Sequence, residues 1–315
     1  KNYLYHAVWR LFYLPQEIIN HKCDLLFVPG GAYVGSFSPV ISMCRNILPF
    51  DKKEIKRYFP FVEYFKFNFL RYVQTKTFKK SKGVIFLNEY ARDIISKKNS
   101  LLLHKSKIIP HGINKKFYLK SRKIRKFNEF TKRNPVNIVY VSSIDFYKHQ
   151  DKVVLAVEKL SKQNIPLSLN LIGSPYIPAL KRLNKIINRL DRNNLEIKYF
   201  NFIEHDQLID FYKNADIAVF ASTCENLPNI ILEYLAAKIP IACSKKRPMI
   251  DILENNAEYF QPDCVDSIYK TLLSLIKSDQ KREKLSINSH NLVHKYNWEN
   301  TASKTLEYFR AVIEY

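Results

Sequence analysis

The chain has no apolar run approaching the ~18 residues of a membrane-crossing helix, so no transmembrane helix is expected in it. It has no Cys-x-x-Cys pair, and none of its five cysteines (Cys23, Cys44, Cys224, Cys243, Cys264) stands near a histidine at metal-ligand spacing. They read as reduced, buried cysteines of a cytosolic protein, Cys224 and Cys243 lying beside strand-like runs. No zinc-finger spacing, RNP-like run or convincing helix-turn-helix occurs, which argues against a nucleic-acid module. No signal peptide is visible. Glycine is scarce, 6 in 315 residues, while Lys, Asn and Ile are abundant, a bias that the source organism's composition alone could produce. Acids are also short: 29 Asp and Glu face 51 Lys and Arg, a net charge of +22. Nucleic acid, an anionic membrane surface or a phosphate-bearing substrate would each suit that charge, which alone does not choose among them.

What is present is enough for two domains of roughly 150 residues each. Apolar residues are 46% of the chain, so packed cores are expected. The chain begins at Lys1 rather than Met, inside what reads as a helix, so a preceding N-terminal segment is expected. In the second half, short apolar runs at 137–143, 167–173, 195–200, 217–222 and 239–244 alternate with amphipathic stretches such as 152–163 and 177–190. Continuous apolar strands alternating with helices predict a parallel sheet covered on both faces, a doubly wound α/β domain over 134–295. The first part, 1–115, repeats the theme with fewer elements: strands at 24–29 and 83–87, Asn88 as a helix cap, and a strand or turn at 108–113. Between them, 116–133 is strongly basic with Glu129 its only acid, and reads as a linker or surface loop. Trp298, Ala302, Leu306, Phe309 and Ile313 fall about a turn apart and predict a closing amphipathic helix over 296–315.

The most informative stretch is Glu225-Asn226-Leu227-Pro228-Asn229-Ile230-Ile231-Leu232-Glu233, which follows the run at 217–222. Pro228 suits the first turn of a helix, where a missing N–H costs nothing. Glu225 then stands at the carboxyl end of a parallel strand, before a helix N-terminus, where open α/β sheets bind ligands and free N–H groups favour phosphate. Two carboxylates so placed could hold a sugar's hydroxyls at two ends of one ligand. On spacing alone, a solvated pair is the plainer reading.

Taken in order along the chain, the motifs resemble the retaining glycosyltransferases of the large family four, which have the GT-B architecture of two Rossmann-like doubly wound domains, the first incomplete here. Pro110-His111-Gly112-Ile113 resembles the turn leaving the first domain. The stretch from Tyr140 through Lys148-His149-Gln150 resembles the first strand and loop of the donor domain, and Leu171-Ile172-Gly173-Ser174 the end of its second core strand. Glu225 and Glu233 resemble the family's E-x7-E motif, the run from Ala236 to Ser244 the strand after it, and Asn297-Trp298 the start of the helix that crosses back.

The resemblance implies that Glu225 holds donor-sugar hydroxyls, Glu233 the nucleotide ribose, and Lys148 the donor pyrophosphate, helped by N–H groups near Leu227 and Asn229. Gly173, Ser174 and Asn226 would complete the donor site. The implied donor is a UDP- or GDP-linked sugar and the acceptor a glycan or lipid-linked glycan. The implied reaction is metal-independent hexosyl transfer with retention, in envelope polysaccharide or lipopolysaccharide synthesis. No cofactor is implied, and no D-x-D metal motif occurs.

Five departures stand out. Ser142 and Ser143 occupy places where the family commonly has Arg, Asn226-Leu227-Pro228 replaces a frequent Gly-Phe-Gly, and Lys238 replaces a common Gly. Arg45 and Asn46 stand where a first-domain His-Asp would, and line either the acceptor site or an ordinary loop. The family's first strand with its Gly-rich loop is not found. His111 and His149 read more readily as packing than as catalytic groups.

One further segment, 52–80, mixes Phe59, Phe61, Phe65, Phe67, Phe69 and Tyr72 with many cations. A core helix with a solvated basic face accounts for it, and so does a helix lying on an anionic membrane. The expected location is the cytoplasm, with a peripheral place on the inner membrane face as its companion. The alternative readings are a catalytically inactive GT-B paralogue, a basic protein that binds nucleic acid or an anionic surface, and a GT-B enzyme of other chemistry such as a nucleotide-sugar epimerase.

Overall fold

Short apolar runs, too brief for helices, become parallel strands in both halves of the chain. The computed structural model describes residues 9–97, 100–191 and 193–314. The chain divides into two units, Lys1–Gly112 with Trp298–Tyr315, and Ile113–Asn297.

In the first unit, β1 (Leu26–Val28), β2 (Val40–Cys44), β3 (Gly83–Phe86) and β4 (Ser106–Ile108) form one parallel sheet in that order. Every residue of β2 and β3 is buried. β2 carries Ser42, Met43 and Cys44 and was not anticipated as a strand. The strand expected near 108–113 lies earlier, as β4. The helix expected at the chain's start falls in part on residues 1–8, outside the described residues, and Leu14–Asn20 is helical. Helix α1 (Val62–Lys80) fixes its inner side through buried Phe78, a Thr77 hydroxyl donating to the Tyr33 carbonyl (3.0 Å), and a Gln74 amide donating to the Gly30 carbonyl (3.1 Å). The C-terminal helix Trp298–Glu314 belongs to this unit. Its Tyr308 hydroxyl accepts from the Val84 N–H (3.2 Å) and donates to the Lys105 carbonyl (2.8 Å).

Helix α2 (Glu89–Ser96) starts where Asn88 accepts the Ala91 N–H at 2.8 Å, as the sequence predicts. Asn88→Ala is expected to destabilise the protein by about 1 kcal/mol. An unchanged denaturation midpoint would show that this cap contributes nothing.

In the second unit, six parallel strands run β7 (Leu195–Phe200), β6 (Leu167–Ile172), β5 (Val136–Val141), β8 (Ile217–Phe220), β9 (Ile241–Ser244), β10 (Glu258–Phe260) across the sheet. This is the doubly wound order, with its reversal between β5 and β8. Connecting helices include α3 (Gln150–Ser161), α4 (Ile177–Ile187), α5 (Leu208–Asn214), α6 (Asn229–Ala236), α7 (Val265–Lys277) and α8 (Asp279–Val293). The inner strands β8 and β9 are buried throughout, and each Ile, Val or Phe so placed contributes about 2 kcal/mol of burial. β7 is an edge strand, and its Glu196 and Lys198 alternate with apolar side chains, which discourages further pairing.

Residues 116–133, read from sequence as a linker or surface loop, belong to the second unit and lie against it. The Arg122 guanidinium donates to the carbonyls of Ala237 (3.0 Å), Ala215 (2.6 Å) and Tyr212, serving the buried C-terminal carbonyls of α6 and α5 together. Arg125 forms a two-pronged ion pair with Asp216, whose carboxylate also accepts the Asn137 N–H at 2.8 Å. Two cations of this basic stretch are spent on helix ends and on the largely buried Asp216.

Cys44, Cys224 and Cys243 are buried, Cys23 and Cys264 exposed, and none of the five is in a disulfide. Burial pushes the Cys44 thiol up to about 12 and raises that of Cys243 as well. A thiol held protonated in apolar surroundings is a poor nucleophile. Alkylation of the native protein at neutral pH is therefore expected to label Cys23 and Cys264 quickly and the other three only on denaturation. Fast labelling of Cys44 would contradict the packing of β2.

Candidate active site

The loops leaving β5 and β8 emerge side by side at the carboxyl edge of the sheet, at its topological reversal. Each delivers one charged group. After β5 the chain makes a single 3-10 turn at Phe146–Lys148, started by the Asp145 carboxylate accepting the Phe146 N–H at 2.7 Å. After β8 it runs to Glu225. The Lys148 ammonium and the Glu225 carboxylate meet in an ion pair, with only 9% and 13% of their side chains exposed. The ammonium also lies 4.9 Å from the Tyr147 ring centre and 5.3 Å from that of Phe220, on faces that favour a cation.

A frame of phenols holds these loops. The Tyr140 hydroxyl donates to the Lys148 carbonyl (2.5 Å) and accepts from the Ala221 N–H (3.1 Å), tying the two loops together. The Tyr234 hydroxyl, from α6, accepts from the Val141 N–H at 2.8 Å. Burial pushes both phenols well above their ordinary value, so both hydroxyls stay protonated. Thr223 binds the Tyr147 carbonyl through its N–H (2.9 Å) and its hydroxyl (3.1 Å). Gln150 reaches back to the Ser142 hydroxyl (2.9 Å) and the Ser143 carbonyl (2.8 Å).

Gly173 ends β6 with φ +145°, and a Cβ there would lie 2.2 Å from the Ser142 carbonyl oxygen. Only glycine lets the ends of β5 and β6 approach so closely. Ser174 beside it is exposed, and its carbonyl accepts the Ile144 N–H at 3.0 Å. Asn226 and Leu227 are buried, while Asn229 is exposed as the first residue of α6. Pro228 stands one place earlier than expected, just before the helix, where its missing N–H is equally harmless.

Glu233 lies in α6 and is 3% exposed. Its carboxylate accepts from the Tyr212 hydroxyl (2.6 Å) and lies 3.1 Å from the imidazole Nε2 of His205, whose own side chain is more than half exposed. Glu225 and Glu233 thus sit on one loop–helix segment, Glu225 facing Lys148 and Glu233 facing His205. Lys238 follows α6 with φ +53°, a left-handed conformation that glycine adopts most readily.

The remaining sequence candidates fall elsewhere. His149 is buried at a left-handed turn (φ +52°) before α3, 3.4 Å from the Thr223 hydroxyl. In the first unit, His111 is largely buried with its ring 5.5 Å from that of Trp298. Arg45 and Asn46 are both exposed just beyond β2, where the Asn46 side chain accepts the Leu48 N–H at 2.9 Å. The sequence reading missed Tyr140, Tyr212, Tyr234 and His205. Tyr140 stands in the stretch quoted above but was given no role, the other three stand in no quoted motif, and each works through a partner distant in sequence.

Two units, each built on a parallel sheet flanked by helices, define the GT-B class of glycosyltransferase folds. The sequence pattern of the family Glycosyl transferases group 1 matches residues 121–292, more than half of the chain, and the chain belongs to that family. An uncharacterized glycosyltransferase of Methanocaldococcus jannaschii is 27% identical over 122 residues, 38% of this chain and 31% of the relative. O-antigen chain mannosyltransferase B of Escherichia coli is 23% identical over 114 residues, 36% of this chain and 30% of the relative. The chain thus spans about a third of the length of the curated relatives it matches. Among solved structures, HepE of Anabaena, crystallised with UDP and glucose, superposes with a TM-score of 0.70 at 14% identity, covering 93% of this chain and 79% of HepE.

Proposed function

We propose that the protein transfers a hexose-type sugar, with retention, from a UDP- or GDP-linked donor to a glycan or lipid-linked acceptor in envelope polysaccharide or lipopolysaccharide synthesis. The observation that carries this reading is the Lys148–Glu225 pair on adjacent loops at the sheet's reversal. Membership of the glycosyltransferase family supports it, as do a mannosyltransferase relative and a structural neighbour holding UDP and glucose.

On this reading Lys148 neutralises the departing diphosphate, the charge that grows as the sugar–phosphate bond breaks. N–H groups at the start of α6 share that task, so no metal is called on. Glu225, released from Lys148 as the diphosphate takes its place, accepts hydrogen bonds from the sugar's hydroxyls. Glu233, held by Tyr212, receives the ribose where His205 now stands. The leaving phosphate helps deprotonate the acceptor, which attacks from the same face. Arg45 and Asn46 are assigned to the acceptor side.

A second reading, an inactive paralogue that keeps the fold, is favoured by Ser142 and Ser143, which put no cation before Lys148 in a loop the resemblance assigns to the donor phosphates. Thermal shifts with a panel of UDP- and GDP-sugars separate the two, together with donor hydrolysis and transfer assays. A shift with one donor, lost in Glu225→Ala, accompanied by turnover, supports transfer. A shift without turnover supports the paralogue. No shift with any donor in the folded protein overturns transfer and leaves the inactive paralogue or a basic binding protein.

A further inference from the structure

Between Lys52 and Lys80, every exposed residue is either a cation or apolar. The exposed cations are Lys52, Lys53, Lys56, Arg57, Lys66, Lys76, Lys79 and Lys80, and the exposed apolar residues are Phe59, Pro60, Phe61, Val62, Phe65, Phe69 and Tyr72. The segment's acids are withdrawn: Glu54 is buried against Arg57, and Asp51 and Glu63 are half-buried. Along α1, Val62, Phe65, Phe69, Tyr72 and Lys76 recur three and four residues apart, so they form one stripe on one side of the helix. Its members are unusually bare for apolar side chains, Val62 at 76% and Phe69 at 68% exposed. At the end of the stripe, the Lys76 ammonium lies 4.5 Å from the centre of the Tyr72 ring, so cation and aromatic share one surface. The opposite side of the helix is already committed to the first unit through Gln74, Thr77 and Phe78. The stripe is therefore not core in waiting.

We propose that this face docks on an anionic lipid bilayer, aromatic side chains entering the headgroup boundary while the flanking cations meet lipid phosphates. The helix lies on the surface rather than crossing it: no helix among the described residues is long and apolar enough to span. Charge decides against two other occupants. A second copy of the chain would set these cations against their own equivalents across a two-fold axis, with no exposed acid in the segment to answer them. A nucleic acid would reward the cations but leave Val62, Phe59 and Phe61 with no apolar phase to enter. A bilayer with negative headgroups satisfies both halves of the surface at once. The inference stands on the first unit alone and is independent of the donor site.

The test is sedimentation of the full chain with vesicles of phosphatidylcholine alone, and of phosphatidylcholine and phosphatidylglycerol in equal parts. Two variants are run alongside, Phe65→Ser with Phe69→Ser, and Lys66→Gln with Lys76→Gln. All four positions are exposed, and circular dichroism checks that both variants fold. Binding is expected to the anionic vesicles only, weakened about tenfold or more in each variant, since each cation near the surface is worth about fivefold. Four results would overturn the proposal: no sedimentation with anionic vesicles, equal binding to neutral ones, binding indifferent to both variants, or a dimer in vesicle-free buffer that the phenylalanine variant abolishes. Duplex DNA retained by the chain and released by the lysine variant, without vesicle binding, would assign the face to nucleic acid instead.

Discussion

Lys148→Ala is expected to lower sugar transfer about a hundredfold to a thousandfold, the usual loss when one positioned charge-stabilising group is removed from a buried site. The same change strands Glu225. Its carboxylate, only 13% exposed, loses the ammonium that faces it. Breaking a buried pair from one side costs about 3 kcal/mol, because the remaining charge keeps its desolvation penalty and loses its partner. Lys148→Ala should therefore be both slower and less stable. The double variant Lys148→Ala with Glu225→Ala separates the two effects. Removing the stranded carboxylate should restore much of the lost stability and none of the activity. Full activity in a folded Lys148→Ala protein, measured by single-turnover transfer, would remove Lys148 from the mechanism. Stability unchanged in the single variant would mean that water reaches Glu225 freely.

Gly173→Ala is expected to destabilise the second unit by about 3 kcal/mol or more, combining backbone strain with overpacking. Two observations bear on it. At φ +145° a side chain is strained whatever the space around it, and here the space is taken by the Ser142 carbonyl. The atoms in the way belong to backbone, so no rotamer change relieves the clash, and the ends of β5 and β6 must part. Ser142 and Ser143, which Gln150 binds, would move with them. Donor affinity should fall together with the denaturation midpoint. A midpoint equal to wild type would show that the two strand ends are not held as closely as described.

The second unit was legible in sequence because its inner strands are buried on both faces. Runs such as 217–222 and 239–244 have no polar interruption long enough to mimic a helix, and they match β8 and β9 to within two residues. β10 escaped notice because Glu258–Phe260 is three residues long and takes its identity from pairing with β9. β2 escaped because serine, methionine and cysteine are ambiguous formers whose burial is decided by the neighbours β1 and β3. Lys148, Glu225 and Glu233 were each visible as motif residues. That the first two would face each other, 77 positions apart, was not. The engagement of Glu233 by Tyr212 and His205 was equally hidden. Local pattern carries the elements, and tertiary closure carries the pairings.

The path of the chain bears on how the molecule can be dissected. The first unit is discontinuous, leaving at Gly112 and resuming at Trp298, whereas the second is one uninterrupted stretch. Excising the second as an autonomous fragment is therefore feasible in principle, but the cut site matters. A fragment starting at 134, where the sheet begins to be recognisable, would discard Arg125 and cost the largely buried Asp216 its two-pronged ion pair. It would also strip Arg122 from the ends of α5 and α6, the second of which carries Glu233. A fragment opening at Ile113 keeps both arginines. The basic stretch thus behaves as a clasp that must travel with the part it closes.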